Sequence, residues 1–73
     1  MPKYFFHLVG ILPARDMLGH ECADNKEAKE LGSFIAHRIG TEKPGMVREG
    51  NHISVTNEQG DELFQVPIAS TTV

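Results

Sequence analysis

The chain has 73 residues and a formal net charge of −3 at pH 7; 40% of its residues are hydrophobic and 23% are charged. This balance argues against disorder, and the seven basic residues are scattered among ten acidic ones rather than clustered as in a nucleic-acid-binding surface. A chain this short buries only about 60% of its unfolded surface, so we expect its core to need support from a disulfide, a metal or a partner subunit.

The cysteine content and the first residues bear on location. The single cysteine, Cys22, has no partner for an intrachain disulfide, which favours a reducing compartment. The opening MPKY passes directly into a strand-like run with no signal sequence. The apolar run from Tyr4 to Leu12 is far shorter than the roughly 20 residues of a membrane helix. We therefore expect a cytoplasmic protein that forms one domain over residues 1–73 and does not enter a membrane.

Two strands are predicted in the first third of the chain. The first covers residues 3–9 and ends at Gly10, and Pro13 excludes the following residues from a central strand. A second, short strand is expected within residues 15–22, where Gly19 would form a bulge or a bend.

A helix follows. Asp24 is a favourable N-cap, and Glu27 stands three residues later, at the spacing of a capping box. Phe34 lies at the border of the apolar face and His37 opposite it, and Gly40 is the expected residue just after the helix. The apolar face itself has helical spacing and consists of Ala28, Leu31, Gly32, Ile35 and Ile39.

Residues 40–51, GTEKPGMVREGN, read as a turn-rich loop. Met46 and Val47 are its only apolar residues, and we expect them to hold the loop against the body of the protein. At the other end of the chain, Pro67 closes the last strand or marks it as an edge strand. Residues 69–73 are expected to form a frayed tail.

The segment HISVTNEQGDELFQVPI predicts a hairpin with two possible registers. The preferred one has a two-residue loop at residues 59–60, because it sorts apolar from polar residues better. It pairs Val55 with Phe64 and Ile53 with Val66 on one face, and Ser54 with Gln65 and Thr56 with Leu63 on the other. The alternative is a type I turn with Gly60 as a bulge residue, which places Gln65 opposite Ile53.

The predicted order ββαββ gives an α+β fold, with a four-stranded, mainly antiparallel sheet and one helix on one face. One helix is about 10 Å wide, whereas four strands span nearly 20 Å, so the helix covers one face only in part. The helix side is assigned Tyr4, Phe6, Leu8, Ile53, Val55, Phe64 and Val66. The other face is assigned Phe5, His7, Val9 and Leu63, and either a second subunit or the 40–51 loop would cover it.

Several sequence features resemble a known family. These are the opening MPKYFFHLVG, the spaced residues Asp16, Gly19, Glu21, Asp24 and Ala28, and the segment ISVTNEQGDELFQVPI. They are similar to a domain-of-unknown-function family of small bacterial proteins, common in rhizobia, that begin Met-Pro-Arg/Lys-Tyr-Phe-Phe-His. The resemblance covers nearly the whole chain. It implies a bacterial protein and carries over no catalytic residue.

Two departures from this family pattern concern loop geometry. Asn57 stands where Asp is usual, and residues 11–15 are less turn-like than the usual Asp-Gly.

Four groups of residues are candidate chemical sites. His20 and Cys22 have thiolate and imidazole ligands suited to zinc, but real zinc sites contain more ligands at paired spacing. Cys22 as a nucleophile would gain from the positive end of the helix, which lowers a thiol pKa. Asp16, Glu21 and Asp24 could meet at a cation, although one of them is already a cap. His7 could act as a pH-sensitive group at an interface, because imidazole titrates near neutrality.

The leading hypothesis from sequence is a non-enzymatic interaction module without a cofactor. It would form a homodimer through the face or edge that carries Phe5, His7, Val9 and Leu63. The first alternative is a single-stranded nucleic-acid binder that stacks bases on Tyr4 and Phe5, although no basic cluster is present to meet phosphate. The second is a metal- or thiol-dependent enzyme around His20 and Cys22.

Overall fold

The computed structural model describes residues 2–48 and 50–68, and the elements follow the predicted order. Four strands form one antiparallel sheet in the order β2-β1-β3-β4, and a single helix packs against it, which confirms the α+β fold. The elements are β1 (Lys3–Val9), β2 (His20–Glu21), α1 (Asn25–Glu42), a 3₁₀ turn (Pro44–Met46), β3 (His52–Thr56) and β4 (Glu62–Pro67).

Strand β1 is an interior strand of the sheet. Along one edge, its residues from Phe5 to Val9 pair with β3; along the other, Lys3 and Tyr4 pair with β2. Farther along that second edge, Leu8 and Ala14 exchange two backbone hydrogen bonds of 2.8 and 2.9 Å. Both edges of β1 are therefore occupied by the chain itself, so its residues can reach a partner only through a face of the sheet.

The helix begins as the sequence predicts. The Asp24 carboxylate accepts the backbone N–H of Glu27 at 2.9 Å, and the Glu27 carboxylate accepts the backbone N–H of Ala23 at 3.1 Å. Each acidic side chain therefore satisfies one backbone donor at the start of the helix. The 100° spacing of the apolar residues then places one face of the helix on the sheet.

The predicted end at Gly40 is wrong. The helix continues to Glu42, and Lys43 closes it by donating its backbone N–H to the carbonyl of Ile39 at 2.7 Å. Pro44 follows, and proline cannot continue a helix. Gly40 lies inside the helix and is buried, and it does not adopt the left-handed conformation of a helix cap.

Small residues form the centre of the buried helix face. Gly32 shows why, because a Cβ built on it would lie 3.0 Å from Cγ2 of Val55 and 3.4 Å from Cγ2 of Val66. The larger residues of the predicted face flank this row, half-buried. The sequence analysis did not assign Ala36 to this face, although it lies at its centre. The buried row is Ala28, Gly32, Ala36 and Gly40.

The apolar core lies between the helix and one face of the sheet. Tyr4 and Phe6 of β1 are buried there, and Leu8 packs against them. Ile53 and Val55 of β3 are almost inaccessible to solvent, and α1 contacts both β3 and β4. The predicted assignment of β1 and β3 residues to the helix side is confirmed.

The hairpin has the preferred register from Ile53 to Val55 but a longer turn, and the alternative pairing of Gln65 with Ile53 is absent. Ile53 pairs with Val66 and Val55 with Phe64, as the preferred register required, but Thr56 pairs with Glu62 rather than with Leu63. The predicted two-residue loop is wrong. The chain forms a turn at residues 57–60, in which the backbone N–H of Gly60 bonds to the carbonyl of Asn57 at 3.0 Å.

A bulge reconciles the turn with the register. Gly60 has a φ of +87°, the left-handed conformation of the alternative turn, and a register shift between Val55 and Thr56 leaves Leu63 as the extra residue. Leu63 consequently packs against the helix-side core and not beside Phe5, which corrects its place in the predicted patch. The outer-face position opposite Thr56 goes to Glu62.

The 40–51 loop packs at the helix side of the sheet. Met46 is buried in the core, as predicted, whereas Val47 is exposed. The Asn51 side chain ties the loop to the rest of the chain: its amide donates to the Met46 carbonyl at 3.0 Å and its oxygen accepts the Ile11 N–H at 3.1 Å. The suggestion that this loop covers the Phe5 side is therefore wrong.

Candidate interaction surface

The chain between β1 and β2, residues 10–19, is here called the apolar loop, and one carboxylate holds it in place. Asp16 Oδ2 accepts the backbone N–H of Phe6 at 3.1 Å. Its other oxygen, Oδ1, accepts the N–H groups of Leu18 at 3.1 Å and Gly19 at 3.0 Å. Asp16 lies between the Leu8–Ala14 bridge and β2. Its carboxylate therefore accepts the backbone N–H of Phe6 at the point where a neighbouring strand would otherwise do so.

These hydrogen bonds decide the charge state of Asp16. Partial burial desolvates the carboxylate and by itself raises the pKa, but the bonds from Gly19, Phe6 and Leu18, helped by His20, outweigh this effect and lower the pKa of Asp16. The ionised form is thus the one that fits the loop. A protonated Asp16 would lose acceptor strength toward three backbone donors.

His7 also contacts the apolar loop. Its Nδ1 accepts the backbone N–H of Asp16 at 3.0 Å, so the neutral ring carries its proton on Nε2. Nε2 lies 3.4 Å from Oγ1 of Thr56, and the ring is parallel to that of Phe5, with 6.3 Å between centroids. His7 and Phe5 are therefore stacked side by side within one chain.

The apolar loop partly covers the outer face, the side of the sheet away from the helix. Gly19 has a φ of +74°, and a Cβ there would lie 2.8 Å from Cγ of Lys3 and 3.0 Å from Cε2 of Phe5. The loop thus lies against Phe5 as well as His7, and both side chains are half-buried. The covering segment that was expected at residues 40–51 is instead at residues 13–19.

The loop turns its own large apolar side chains outward. Ile11, Leu12, Met17 and Leu18 are between 62% and 83% exposed, and the neighbouring Val9 is also exposed. Sequence reasoning missed this set. The available signal was four large apolar residues within eight positions that follow neither a helical nor a strand period.

A polar row occupies the other side of the outer face. The Ser54 hydroxyl donates to Oε2 of Glu62, and the Gln65 amide donates to Oε1 at 2.8 Å. These two side-chain bonds lower the pKa of Glu62. One part of the outer face is therefore apolar and the other consists of hydrogen-bonded polar side chains, whereas the helix side is an apolar core.

The thiol and metal hypotheses find little support in the geometry. Cys22 is only 1% exposed, and burial, with Glu27 and Asp24 nearby, raises the pKa of its thiol, so the predicted lowering by the helix end is wrong. His20 packs edge-on against Phe6, with 5.4 Å between ring centroids. Within residues 2–48 and 50–68, no three His, Cys, Asp or Glu side chains lie close enough together to hold a metal ion.

The proposed cation ligands and base-stacking residues have other roles. Asp16 and Asp24 are engaged with backbone N–H groups, as described above. Tyr4 lies under the helix, 4% exposed, and its hydroxyl donates to Oδ1 of Asn25 at 2.8 Å. Burial, with Cys22 and Asp24 nearby, raises the pKa of Tyr4. Tyr4 therefore cannot stack on a nucleic-acid base beside Phe5, which points to the opposite face.

The fold and the surface together define a small α+β domain with an apolar loop that hydrogen bonds hold against the sheet. A family whose description is "Domain of unknown function (DUF6894)" matches residues 3–69, and the chain belongs to this family. No curated protein and no solved structure shows significant similarity to the chain. No helix in the described part of the chain is long and apolar enough to span a bilayer.

The residues that carried the family resemblance have structural roles in this chain. Asp16 holds the apolar loop, Gly19 allows its close approach to Phe5, and Asp24 caps the helix. Ala28 is fully buried on the sheet-facing side of the helix, and Asn57 accepts the backbone N–H groups of Gln59 and Asp61 in the hairpin turn. The motif thus describes how the chain folds rather than a reaction.

Proposed function

We propose that this protein is a non-enzymatic interaction module that self-associates through Val9 and the apolar loop. The observation that carries the proposal is the concentration of exposed large apolar side chains in one short segment. Five of the seven large hydrophobic residues that are exposed in the described part of the chain lie between Val9 and Leu18. These five side chains lie close together along the chain, and exposed apolar side chains that gather into a patch are typical of protein interaction sites.

The way the loop is held supports this proposal. A free loop with four large apolar residues would fold them onto the body of the protein, because burying each is worth about 1.5–3 kcal/mol. Here the backbone is fixed at several points by hydrogen bonds to Leu8, Asp16 and Asn51. The side chains are therefore presented in a preorganised arrangement, which lowers the entropic cost of binding.

The proposed surface differs from the sheet patch expected from the sequence. Phe5 and His7 are half-buried by the chain's own loop, and Leu63 packs against the core. Val9 remains exposed and is continuous in sequence with the loop. Self-association is thus proposed to use the apolar loop, and Phe5 and His7 pack against the side of the loop that faces the sheet.

Sedimentation at protein concentrations from about 1 μM to 1 mM tests the proposal, since this range covers dissociation constants that correspond to roughly 4–8 kcal/mol. The wild-type chain is expected to sediment as a dimer at the upper end. The double variant Met17→Glu/Leu18→Glu is expected to sediment as a monomer throughout, because it places two charges in the proposed interface.

Phe34→Glu is the matched control. Phe34 is 60% exposed on the helix, outside the loop, so placing a charge on this apolar side chain should leave the mass unchanged. A wild-type chain that stays monomeric at every concentration would reject self-association. Dissociation by Phe34→Glu, but not by the loop variant, would place the interface elsewhere.

A further inference from the structure

The hydrogen bond between His7 and the apolar loop depends on the protonation state of the imidazole ring. His7 Nδ1 accepts the backbone N–H of Asp16 at 3.0 Å, and an imidazole nitrogen accepts only when it carries no hydrogen. The neutral ring therefore holds its single proton on Nε2, which lies 3.4 Å from Oγ1 of Thr56. Nδ1 is then the only atom of the ring that can take up a second proton.

A second proton turns this hydrogen bond into a contact between two donors. In the imidazolium form both ring nitrogens carry hydrogen, so the backbone N–H of Asp16 would meet the N–H of Nδ1. Rotating the ring by half a turn gives no relief, because an imidazolium has no acceptor atom. The Asp16 N–H would lose its partner in a partly buried position, and an unpaired donor of this kind is costly.

The ring is held more firmly than the loop. His7 belongs to the interior strand β1, its Nε2 faces Thr56 of β3, and its plane is parallel to that of Phe5. Residues 15–19 of the loop, by contrast, belong to no strand. Repulsion at Nδ1 is therefore expected to displace the loop and to leave the strand in place.

Charged groups around the ring determine how readily it takes up a proton, but they do not change which atom receives it. The carboxylates among them favour the imidazolium, and the cations oppose it. Their charges have both signs, and they come from every element that packs near the ring. They are Lys3 of β1, Arg15 and Asp16 of the loop, His20 of β2, Glu58 of the hairpin turn and Glu62 of β4.

We propose that His7 is a pH-sensitive switch: the neutral ring holds the apolar loop on the outer face, and uptake of a proton at Nδ1 releases it. Imidazole side chains ordinarily titrate at about pH 6.5, so the loop is held at neutral pH and freed in mild acid. Asp16 does not start this release, because its hydrogen bonds lower the pKa of its carboxyl and keep it ionised there. The bond lies within one chain, so the switch acts whether or not the chain self-associates.

A nuclear magnetic resonance titration of the ¹⁵N-labelled chain from about pH 8 to about pH 5 tests the proposal, since this range contains the ordinary titration of imidazole. The backbone amide of Asp16 is expected to shift with the same midpoint as the ring of His7. Hydrogen-exchange protection at Asp16, Leu18 and Gly19 should fall at least about fivefold, while the amides of α1 stay protected. Lost protection at Asp16 alone, unchanged protection, or a neutral ring with its proton on Nδ1 would overturn the proposal.

Two variants of His7 reproduce the two states of the ring. His7→Asn keeps an acceptor near the position of Nδ1 that takes up no proton in this range, so the loop should stay protected at both ends of the titration. His7→Phe keeps a ring beside Phe5 but has no acceptor, so the loop should be about fivefold less protected at both ends.

His20→Gln is the matched control, because His20 is the other histidine close to the Asp16 carboxylate. This variant should keep the wild-type response to pH. The amides of α1 report whether each variant is folded. A response that persists in His7→Asn, or that disappears in His20→Gln, would assign the pH dependence to another group and reject the proposal.

Discussion

The two faces of the sheet are covered in different ways. On the helix side, a row of small residues lets α1 approach so closely that a single methyl on Gly32 would press on Val55. On the outer face, residues 13–19 are held mainly by hydrogen bonds, three of them to one carboxylate, Asp16. The helix is held on its face by close packing of apolar side chains. The loop is held on the other face by hydrogen bonds to an ionised carboxylate.

The helix side therefore determines mainly the stability of the fold, whereas the outer face determines which side chains are exposed. Apolar packing on the helix side gives no reason for strong pH dependence, because its residues do not titrate apart from Tyr4 and Cys22 at high pH. The loop on the outer face leaves its own large apolar side chains exposed, because polar bonds rather than those side chains hold it in place. Substitutions should therefore affect the two faces by different amounts and under different conditions.

The largest effect is expected at the helix side. Gly32→Leu should lower the free energy of unfolding by about 3 kcal/mol or abolish folding, because the new side chain must displace Val55 and Val66. Urea unfolding followed by circular dichroism measures the change. Ser33→Leu, one position along on the exposed side, is the control and should stay within about 0.5 kcal/mol of wild type.

A smaller loss is expected at the outer face. Asp16→Ala removes the acceptor for three backbone N–H groups and should cost about 2–3 kcal/mol. Hydrogen exchange should become faster at Phe6, Leu18 and Gly19 while the helix amides stay protected. Asp61→Ala, at an exposed turn position, is the matched control. Equal loss of protection in the helix would show that the two covers are not independent.

The pH dependence should distinguish the same two regions. Because the pKa of Asp16 is lowered in the folded chain, its contribution is complete above the unfolded pKa of Asp, about 4, and is lost as the pH falls through the lower folded value. The stability difference between wild type and Asp16→Asn should therefore shrink as the pH falls from about 6 to about 2. Glu62, whose pKa is also lowered, leaves a residual acid dependence in both proteins. A difference that does not change with pH would mean that the charge of Asp16 is unimportant.

The smallest effect is expected at the helix cap. Asp24→Ala removes an acceptor for a single backbone N–H, that of Glu27, and should cost about 1 kcal/mol. Thermal unfolding measured beside Asp16→Ala compares one backbone bond with three on the same type of side chain. A loss at Asp24 that exceeds the loss at Asp16 would contradict the view that the outer cover depends on its carboxylate.

Local signals in the sequence were enough to determine the elements and most of the pairing within the hairpin. The pairing of β1 with β2 and with β3 was not predicted. The bounds of β1, the Asp24 cap and the pairing of Val55 with Phe64 follow from patterns within a few residues. Strand alternation also assigned Tyr4 and Phe6 to the helix side. These features depend on backbone conformations that neighbouring residues select, so one sequence suffices to find them.

Contacts between distant segments decided the rest. Gly40 reads as a helix end, but it is buried within a helix that continues to Glu42. The bulge at Leu63 arises because a favourable turn and a buried face require different registers. The candidate surface depends on such contacts most of all. Nothing within residues 10–19 shows that Asp16 binds the backbone of Phe6, ten positions earlier, so only the tertiary structure could show which apolar side chains remain outside.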